Sequence, residues 1–201
     1  MDKLPFRQIH LDFHTSPLIK GIGEDFDAGK FAKTLKEAHV NSVTVFAKCH
    51  HGMSYYPTKV GIMHPHLKRD LLGAMIQVCH RERIRVPVYI SVVWDEDAAR
   101  KHNDWVQVNQ EGKLAERPPL GNFSWRSLCL ASPYVNYLEE QAREILENYE
   151  VDGLFFDIVR QIRPGCICNY CLDSMEKLNL DPENDGDLHR HSLRIERDFM
   201  E

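Results

Sequence analysis

Hydrophobic positions along the chain alternate between two spacings, and this alternation predicts strands separated by helices. Four short stretches are rich in apolar and β-branched residues, as buried strands are: residues 7–13, 41–48, 85–94 and 151–159. Four longer stretches repeat apolar residues every three or four positions, which is typical of amphipathic helices: residues 26–39, 67–83, 132–149 and 187–201. The pattern therefore predicts four βα units of an α/β fold.

Two features of this pattern need a structural explanation. Pro87 has no amide hydrogen to give to a neighbouring strand, so we expect it at the start of the third strand or at a bulge. The connection over residues 94–131, which contains Pro118 and Pro119, is long for a compact domain. Connections of this length are usually functional or carry some structure of their own.

Polar residues gather where the four predicted strands end. They are Asp12 and His14, then His50 and His51, then Trp94 and Asp95, and finally Asp157. In a (β/α)8 barrel of the TIM type these carboxyl ends form the active-site face, and a complete barrel has eight strands over about 250 residues. Since no Gly-x-Gly-x-x-Gly follows the first strand, a dinucleotide-binding sheet is disfavoured. We expect a single domain over residues 1–201, the N-terminal half of such a barrel.

Charge and composition narrow the classes of partner. The 201 residues carry a formal net charge of −5, which does not favour nucleic acid or an anionic membrane as a partner. No apolar run reaches the roughly 18 residues of a membrane span. The N-terminus has no apolar signal-peptide core, and the six cysteines do not form a disulfide framework. A cytoplasmic location is the default expectation.

Asp157 is the first candidate for chemistry. It ends the apolar fourth strand, where a charge costs burial energy unless it serves a purpose. A structural alternative is that it caps the next segment or pairs with Arg160. Carboxylates among His, Trp and Tyr side chains are typical of sugar sites, so a carbohydrate is the expected partner. In a retaining glycosidase one carboxylate attacks the anomeric carbon and a second acts as acid and then base.

Cys166, Cys168 and Cys171 form a compact group of thiols after the fourth strand. Three thiolates and one further ligand would make a tetrahedral zinc site, and His189 or His191 could supply the fourth. The alternative is a set of free cysteines lining a loop. A structural zinc ion is therefore a hypothesis.

The first strand offers a second metal hypothesis. His10, Asp12 and His14 alternate with apolar residues, so on a strand all three would point to one side. Two His residues could then hold a catalytic metal, as in a metal-dependent hydrolase. Their spacing differs from the His-x-His of amidohydrolases, and no clear ligand set follows at the later strand ends.

Five segments in the same order resemble alpha-L-fucosidases and the related hypothetical glycosyl hydrolases that share their barrel. Residues 46–53 (FAKCHHGM) resemble the fucosidase segment Ala-Lys-His-His-Asp-Gly-Phe, and residues 56–59 (YPTK) resemble the Trp-x-Ser-Lys that continues it. The remaining three segments are residues 69–73 (RDLLG), 89–94 (YISVVW) and 140–157, the last ending where fucosidases have Trp-Phe-Asp-Gly.

The resemblance implies roles for individual residues. Asp157 falls on the catalytic nucleophile, His14 and His50 on histidines that contact the sugar, and Tyr56 on an aromatic position. Asp12, His51 and Trp94 complete the expected sugar-binding set. No cofactor is required by this chemistry. The departures are that Cys49 replaces a His, His51 replaces an Asp, and Ile158 replaces the Gly after the nucleophile.

The acid/base of the family comes from a later strand. Glu196 and Glu201 lie in the last predicted helix, so we expect them to be helix-surface carboxylates and the acid/base to be absent from these 201 residues. A non-catalytic fragment, which binds carbohydrate or pairs with a second half, is therefore the main alternative. Four βα units leave two open sheet edges, which favours a homo-oligomer or a missing C-terminal half as the partner.

Overall fold

The computed structural model describes residues 6–116 and 125–201. Within these ranges the strands are β1 (Gln8–His10), β2 (Ser42–Lys48), β3 (Met53–Ser54), β4 (Ile62–Met63), β5 (Val88–Ser91) and β6 (Leu154–Asp157). The helices are α1 (Ala28–Glu37), α2 (Leu71–Arg81), α3 (Glu96–Lys101), a 3-10 turn (Asn103–Trp105), α4 (Tyr134–Asn148), α5 (Asn169–Lys177) and α6 (Asp185–Met200). The expected loop residues Pro118 and Pro119 lie outside the described residues.

The four predicted strands and four predicted helices are all confirmed, and all but α6 are somewhat shorter than their hydrophobic patterns. The elements that the pattern missed are short: β3, β4, α3, the 3-10 turn and α5. They span too few residues to establish a period. Pro87 directly precedes β5, which confirms that it lies at the start of the strand.

Local sequence explains where these elements begin and how deeply they are buried. All seven residues of β2 are buried, as expected for an apolar strand covered on both faces. The carboxylate of Asp27 accepts a hydrogen bond from the backbone N–H of Lys30 at 2.8 Å and so caps α1. Asp70 caps α2 in the same way, through the N–H of Gly73 at 2.8 Å.

The sheet has the strand order β4-β3-β2-β5-β6, with β1 also paired to β2. β1 and β5 both pair with β2 in parallel. The N–H of Val88 donates to the carbonyl of Gly153 at 2.9 Å, and the N–H of Val92 donates to that of Asp157 at 3.0 Å. These two bonds advance by four residues on both strands, so β5 and β6 are also parallel.

The order of the long strands identifies the type of α/β fold. β1, β2, β5 and β6 lie side by side in the order of the sequence, and helices follow β1, β2 and β5 along the chain. A doubly wound sheet would reverse direction at its middle, whereas a barrel adds each new strand to the same edge. The topology is therefore that of a partial barrel. β3 and β4 are two additional short strands after β2, and β3 pairs with β2 in antiparallel orientation.

The chain divides into two compact units. The first comprises Met1–Ile90 and Glu140–Phe156, and the second comprises Ser91–Glu139 and Asp157–Glu201. In the first, the buried core includes Val43, Val45, Phe46, Leu72 and Ile90. The expectation of a single domain over residues 1–201 stays a prediction.

The second unit gives structure to the long connection after β5. Isolated bridges pair Val106 with Leu128 and Val108 with Leu114, so the segment folds back on itself. α3 opens it, capped by Asp95, and the core of the unit contains four cysteines. None of the helices in residues 6–116 and 125–201 has both the length and the hydrophobicity that crossing a membrane requires.

Candidate functional site

In the first unit, His14 lies in the loop after β1, which ends at His10, and His50 lies in the turn after β2, which ends at Lys48. Their rings stack with centroids 3.7 Å apart and an angle of 14° between the planes. The backbone N–H of His50 donates to Nδ1 of His14 at 3.2 Å, and Nε2 of His14 lies 2.9 Å from Oδ1 of Asp12. The structure thus brings together three of the residues that the sequence predicted as a sugar site.

These contacts define the proton arrangement on His14. Because Nδ1 accepts a hydrogen bond from His50, the ring proton belongs on Nε2, where it donates to Asp12. Asp12 remains 63% exposed and His14 21% exposed, so both can reach a ligand. The carboxylate of Asp12 can still accept hydrogen bonds from hydroxyl groups, which is chemistry that a sugar requires.

An aromatic wall continues from this cluster across the strands of the first unit. Phe46, Tyr89 and Phe155 lie on β2, β5 and β6 and stack in sequence, with centroids 3.7 Å and 5.9 Å apart. His10 packs edge-on or tilted against all three rings at 5.3–5.7 Å. Phe155 keeps 42% of its surface exposed, so part of the wall remains accessible to a ligand.

The metal-dependent hydrolase hypothesis does not fit these positions. His10 packs among aromatic rings, whereas both ring nitrogens of His14 face protein groups. In residues 6–116 and 125–201, the groups of three or more potential metal ligands that come together do not include either histidine. The expectation that His10 and His14 share a metal is therefore wrong, because β1 ends at His10 and the alternation does not continue to His14.

Tyr56 does not occupy the sugar-stacking position that the sequence suggested. Its side chain is only 1% exposed, and its hydroxyl donates to Oε2 of Glu144 on α4 at 3.0 Å. Burial, followed by the negative charge of Glu144, raises the pKa of Tyr56 well above its usual value. Glu144 also accepts hydrogen bonds from the hydroxyl of Thr58 at 2.5 Å and the N–H of Lys59 at 2.6 Å. Tyr56 is thus a structural residue.

The turn after β2 explains one of the departures from the fucosidase pattern. Cys49 is fully buried, and burial raises the pKa of its thiol. Its Sγ lies 3.9 Å from the carbonyl oxygen of Thr15, so the thiol faces the protein. His51 follows in the turn and is half-buried. Of the two positions, only His51 keeps surface for a ligand.

Trp94 and Asp95 follow β5 and belong to the second unit. Trp94 is 7% exposed, and its Nε1 donates to Oγ of Ser127 at 3.3 Å. Asp95 is buried, and its Oδ1 accepts from the N–H of Ala98 at 2.9 Å as the cap of α3. The expectation that Trp94 stacks on a sugar does not fit a ring that is already covered by protein.

Asp157 is the last residue of β6 and is half-buried. The next residue, Ile158, has φ 61°, in the left-handed region that β-branched residues avoid. A backbone forced into this region costs of order 1–3 kcal/mol and is typical of functional sites. This geometry also explains the fucosidase pattern, since glycine adopts a positive φ without strain.

Glu196 on α6 is not available as an acid/base. Its carboxylate receives Arg163 Nη1 and Nη2 at 2.7 Å and 2.9 Å, and the N–H of Gln161 at 2.7 Å. Burial alone would raise the pKa of Glu196, but these hydrogen bonds outweigh it and lower the pKa. A general acid needs the opposite shift. Glu201 ends the chain as an exposed residue 3.7 Å from Arg197, as expected of a helix-surface carboxylate.

Four cysteines converge in the core of the second unit. Their Sγ atoms all lie within 4.8 Å of one another: Cys129, Cys166, Cys168 and Cys171. The sequence missed Cys129, which stands alone in the chain between Leu128 and Leu130. His191, expected as a fourth ligand, instead lies 3.0 Å from Oγ of Ser174. His189 is exposed on α6. The expectation of a histidine in this cluster is wrong, because the long connection returns Cys129 to it.

Comparisons with known proteins extend over nearly the whole chain. Residues 27–158 match the model of a family described as hypothetical glycosyl hydrolase 6. The solved structure of alpha-L-fucosidase isoenzyme 2 from Paenibacillus thiaminolyticus is similar over 98% of this chain and 29% of its own, with 39% identity and a TM-score of 0.91. A hypothetical protein from Ruminiclostridium thermocellum ATCC 27405 is similar over 86% of this chain and 82% of its own, with 16% identity and a TM-score of 0.62.

These comparisons confirm the fold class. The chain spans less than a third of the length of the Paenibacillus fucosidase, which fits a partial barrel. The likeness to the Ruminiclostridium protein concerns the fold alone, given the low identity. No curated protein gives a significant match to the chain.

Proposed function

The chain belongs to the hypothetical glycosyl hydrolase 6 family, and we propose that it is the N-terminal part of a retaining glycoside hydrolase whose nucleophile is Asp157. The observation that carries the proposal is the position of Asp157 at the end of β6, followed by the left-handed Ile158. Strand ends of this kind carry the catalytic groups of barrel enzymes, and backbone strain beside them is typical of functional sites.

The proposed reaction has two displacements. A carboxylate oxygen of Asp157 attacks the anomeric carbon while the glycosidic C–O bond breaks and the leaving oxygen takes a proton from an acid residue. Water then attacks the same carbon, its proton passes to that residue, and the ester to Asp157 is cleaved. The acid residue would come from outside these 201 residues, since Glu196 is held by Arg163 and Gln161. No cofactor takes part in either step.

His14, His51 and Asp12 are the proposed sugar-contacting residues, and His50, which is only 7% exposed, completes the set by stacking on the ring of His14. The exposed carboxylate of Asp12 accepts from sugar hydroxyls, and His14 is held in one orientation by its contacts with Asp12 and His50. A fixed orientation reduces the entropy lost when a ligand binds. The aromatic wall ending in Phe155 suits the apolar face of a deoxysugar, and an alpha-L-fucoside is the proposed substrate class because the Paenibacillus relative is an alpha-L-fucosidase.

The test uses the protein as its source cell makes it, at whatever length that is. A panel of aryl glycosides first identifies the sugar that is released, with the alpha-L-fucoside expected. The matching 2-fluoro glycosyl fluoride should then form a stable ester that peptide mass mapping locates on Asp157. Labelling of a different carboxylate would mean that Asp157 is not the nucleophile.

Two variants make this test specific. We expect Asp157→Asn to lose labelling and to lower kcat by at least about a thousandfold, because the covalent step has no nucleophile. Asp173→Asn is the matched control, since Asp173 is an exposed carboxylate on α5 in the same compact unit. The control variant should be labelled on Asp157 and should hydrolyse the aryl glycoside with the kcat of the wild type. Near-normal turnover of Asp157→Asn would contradict the assignment.

A second candidate function is carbohydrate binding without hydrolysis by this chain. The engaged carboxylate of Glu196 and the coverage of only 29% of the fucosidase favour it for residues 1–201 taken alone. β6 ends the strand order, so its outer edge could pair with a second copy or with a missing half. Calorimetry with L-fucose and light scattering on the 201-residue chain separate these cases. Binding without turnover supports the fragment, and measurable turnover excludes it.

A further inference from the structure

We propose that Cys129, Cys166, Cys168 and Cys171 bind one zinc ion as a closed structural site. The proposal concerns the second compact unit alone and does not depend on the proposed hydrolase activity. Cys129 is the ligand that local spacing cannot reveal, because it is 37 residues before Cys166 in the chain. Its place in the cluster follows from the fold of the long connection.

The spacing of the four sulfur atoms suits a single ion. Tetrahedral zinc with bonds of about 2.3 Å places its sulfur ligands about 3.8 Å apart. All four Sγ atoms lie within 4.8 Å of one another, and those of Cys129 and Cys171 are 3.4 Å apart. An iron–sulfur cluster would need a wider spacing, because its cysteines enclose several atoms.

Backbone and side-chain donors already point at these sulfur atoms. The N–H groups of Val108 and Cys168 donate to Sγ of Cys166 at 3.3 Å and 3.4 Å. The N–H of Ala131 and the amide Nε2 of Gln161 donate to Sγ of Cys129 at 3.4 Å and 3.3 Å. Donors of this kind stabilise the negative charge of metal-bound thiolates and orient the ligands. Free thiols in an ordinary core do not require four such donors.

The site is closed to solvent. All four cysteines are at most 4% exposed, and five partly buried apolar residues pack around them: Val108, Ala131, Ile162, Tyr170 and Ile195. Catalytic zinc keeps a position open for water or substrate, whereas structural zinc is held by four protein ligands. The four thiols fill every position of a tetrahedron, so the ion would serve the fold.

The ion would stabilise the second unit by joining distant segments. Each thiol that binds zinc releases its proton to solvent, so binding strengthens as the pH rises. The resulting link between Cys129 and the segment 166–171 closes a long loop. Closing a long loop removes more conformational entropy from the unfolded chain than closing a short one. Zinc binding and folding of this unit should therefore be coupled.

The test measures metal content in the untagged 201-residue chain, purified without added zinc. We expect inductively coupled plasma mass spectrometry to find about one zinc ion per chain. Cys129→Ser should reduce zinc content at least about tenfold, because three thiolates leave an open position. The matched control is Cys79→Ser, since Cys79 is also fully buried but lies on α2 in the other unit. It should keep its zinc.

A second measurement covers the case in which Cys129→Ser does not fold. The wild-type chain produced with Co²⁺ should show the absorption bands of tetrahedral thiolate ligation, and a chelator should lower its melting temperature by more than roughly 5 °C. No bound metal and no cobalt spectrum would overturn the proposal, as would iron in place of zinc. A Cys129–Cys171 disulfide, seen as a mass lower by two hydrogens, would also overturn it. Zinc retained in Cys129→Ser but lost in His189→Ala or His191→Ala would reject Cys129 as the ligand.

Discussion

The hydroxyl of Tyr56 donates a hydrogen bond to the buried carboxylate of Glu144 at 3.0 Å. This pair joins the segment after β3 to the part of α4 that belongs to the first compact unit. The carboxylate is only 8% exposed and depends on its three donors for the charge to be buried at an acceptable free energy. Tyr56, which resembles a sugar-binding aromatic residue in the sequence, therefore stabilises the fold.

Tyr56→Phe should lower the free energy of unfolding without changing sugar binding. Removing one donor from a buried carboxylate costs about 1–3 kcal/mol. Urea unfolding of both proteins measures this loss, and calorimetry with L-fucose measures the affinity. Tyr170→Phe is the control. The hydroxyl of Tyr170 donates to the exposed carboxylate of Asp104, so losing this hydrogen bond should lower the stability less. Weaker sugar binding with unchanged stability would return Tyr56 to the sugar site.

Gly73→Ala should destabilise the protein, although alanine favours helices. A Cβ at Gly73 would lie 2.4 Å from Oδ2 of Asp70, the residue that caps α2, and 3.0 Å from Cε1 of Tyr149. Relieving this overlap would disturb the cap and the bond from the Tyr149 hydroxyl to Asp70. Loss of a cap costs about 1 kcal/mol, as does the overpacking.

The matched helix position is Gly29, where an added Cβ meets Oδ1 of Asp27 at 3.3 Å. Thermal unfolding should show that Gly73→Ala is less stable than Gly29→Ala by about 1–2 kcal/mol. Equal stabilities for the two variants would indicate that Asp70 moves aside freely.

The substitution Ile158→Gly should lower the free energy of unfolding much less than the substitution Val159→Gly. Glycine adopts the φ of 61° without the strain that a β-branched residue suffers there, and this relief offsets the loss of a half-buried side chain. Val159 is also half-buried but does not have a positive φ. Chemical denaturation should find Val159→Gly less stable than Ile158→Gly by about 1–2 kcal/mol. The reverse order would mean that the backbone after Asp157 is not strained.

Asp152 should contribute an acid-sensitive part of the stability. Burial alone would raise the pKa of its carboxyl, but the N–H of Val86 at 2.7 Å, His80 at 2.9 Å and Arg85 at 3.4 Å lower it below the ordinary 3.8. Since the folded-state pKa is lowered, the contribution is complete above the unfolded-state pKa. It is lost as the pH falls from about 5 through the folded-state pKa.

Asp152→Asn should therefore lose less stability than the wild type when the pH falls from about 5 to 3. At neutral pH the variant should be less stable by about 1 kcal/mol or less, because solvent screens this partly exposed group. Urea midpoints across this pH range give the comparison. Asp198→Asn, with a half-exposed carboxylate in surface ion pairs, should follow the wild-type curve. Parallel curves for Asp152→Asn would contradict the predicted role.

Much of the fold could be predicted because it depends on local periodicity. Seven consecutive buried residues in β2 and the apolar spacing of α2 are visible in the chain itself, as is the carboxylate that ends β6. The order in which strands and helices alternate then limits the topology to a few choices. The short elements β3, β4, α3 and α5 fall below the length at which a period is visible.

The site was less predictable because burial depends on distant parts of the chain. Tyr56 and Trp94 look like sugar-binding aromatics in sequence, yet Glu144 and Ser127 engage their polar atoms and neighbouring residues cover the rings. His14 and His50 do come together, because the two segments that hold them follow the paired strands β1 and β2. Strand ends are brought together by the sheet, which the sequence does predict.

The sequence by itself determined the alternating α/β pattern, the resemblance to glycosyl hydrolases and the candidacy of Asp157, since each depends on residues close together in the chain. Only the tertiary structure decided that Cys129 joins Cys166, Cys168 and Cys171. It also decided that Glu196 is held by Arg163. The physical reason is that ligand sets, ion pairs and burial arise from contacts between residues far apart in sequence, and no local spacing encodes them.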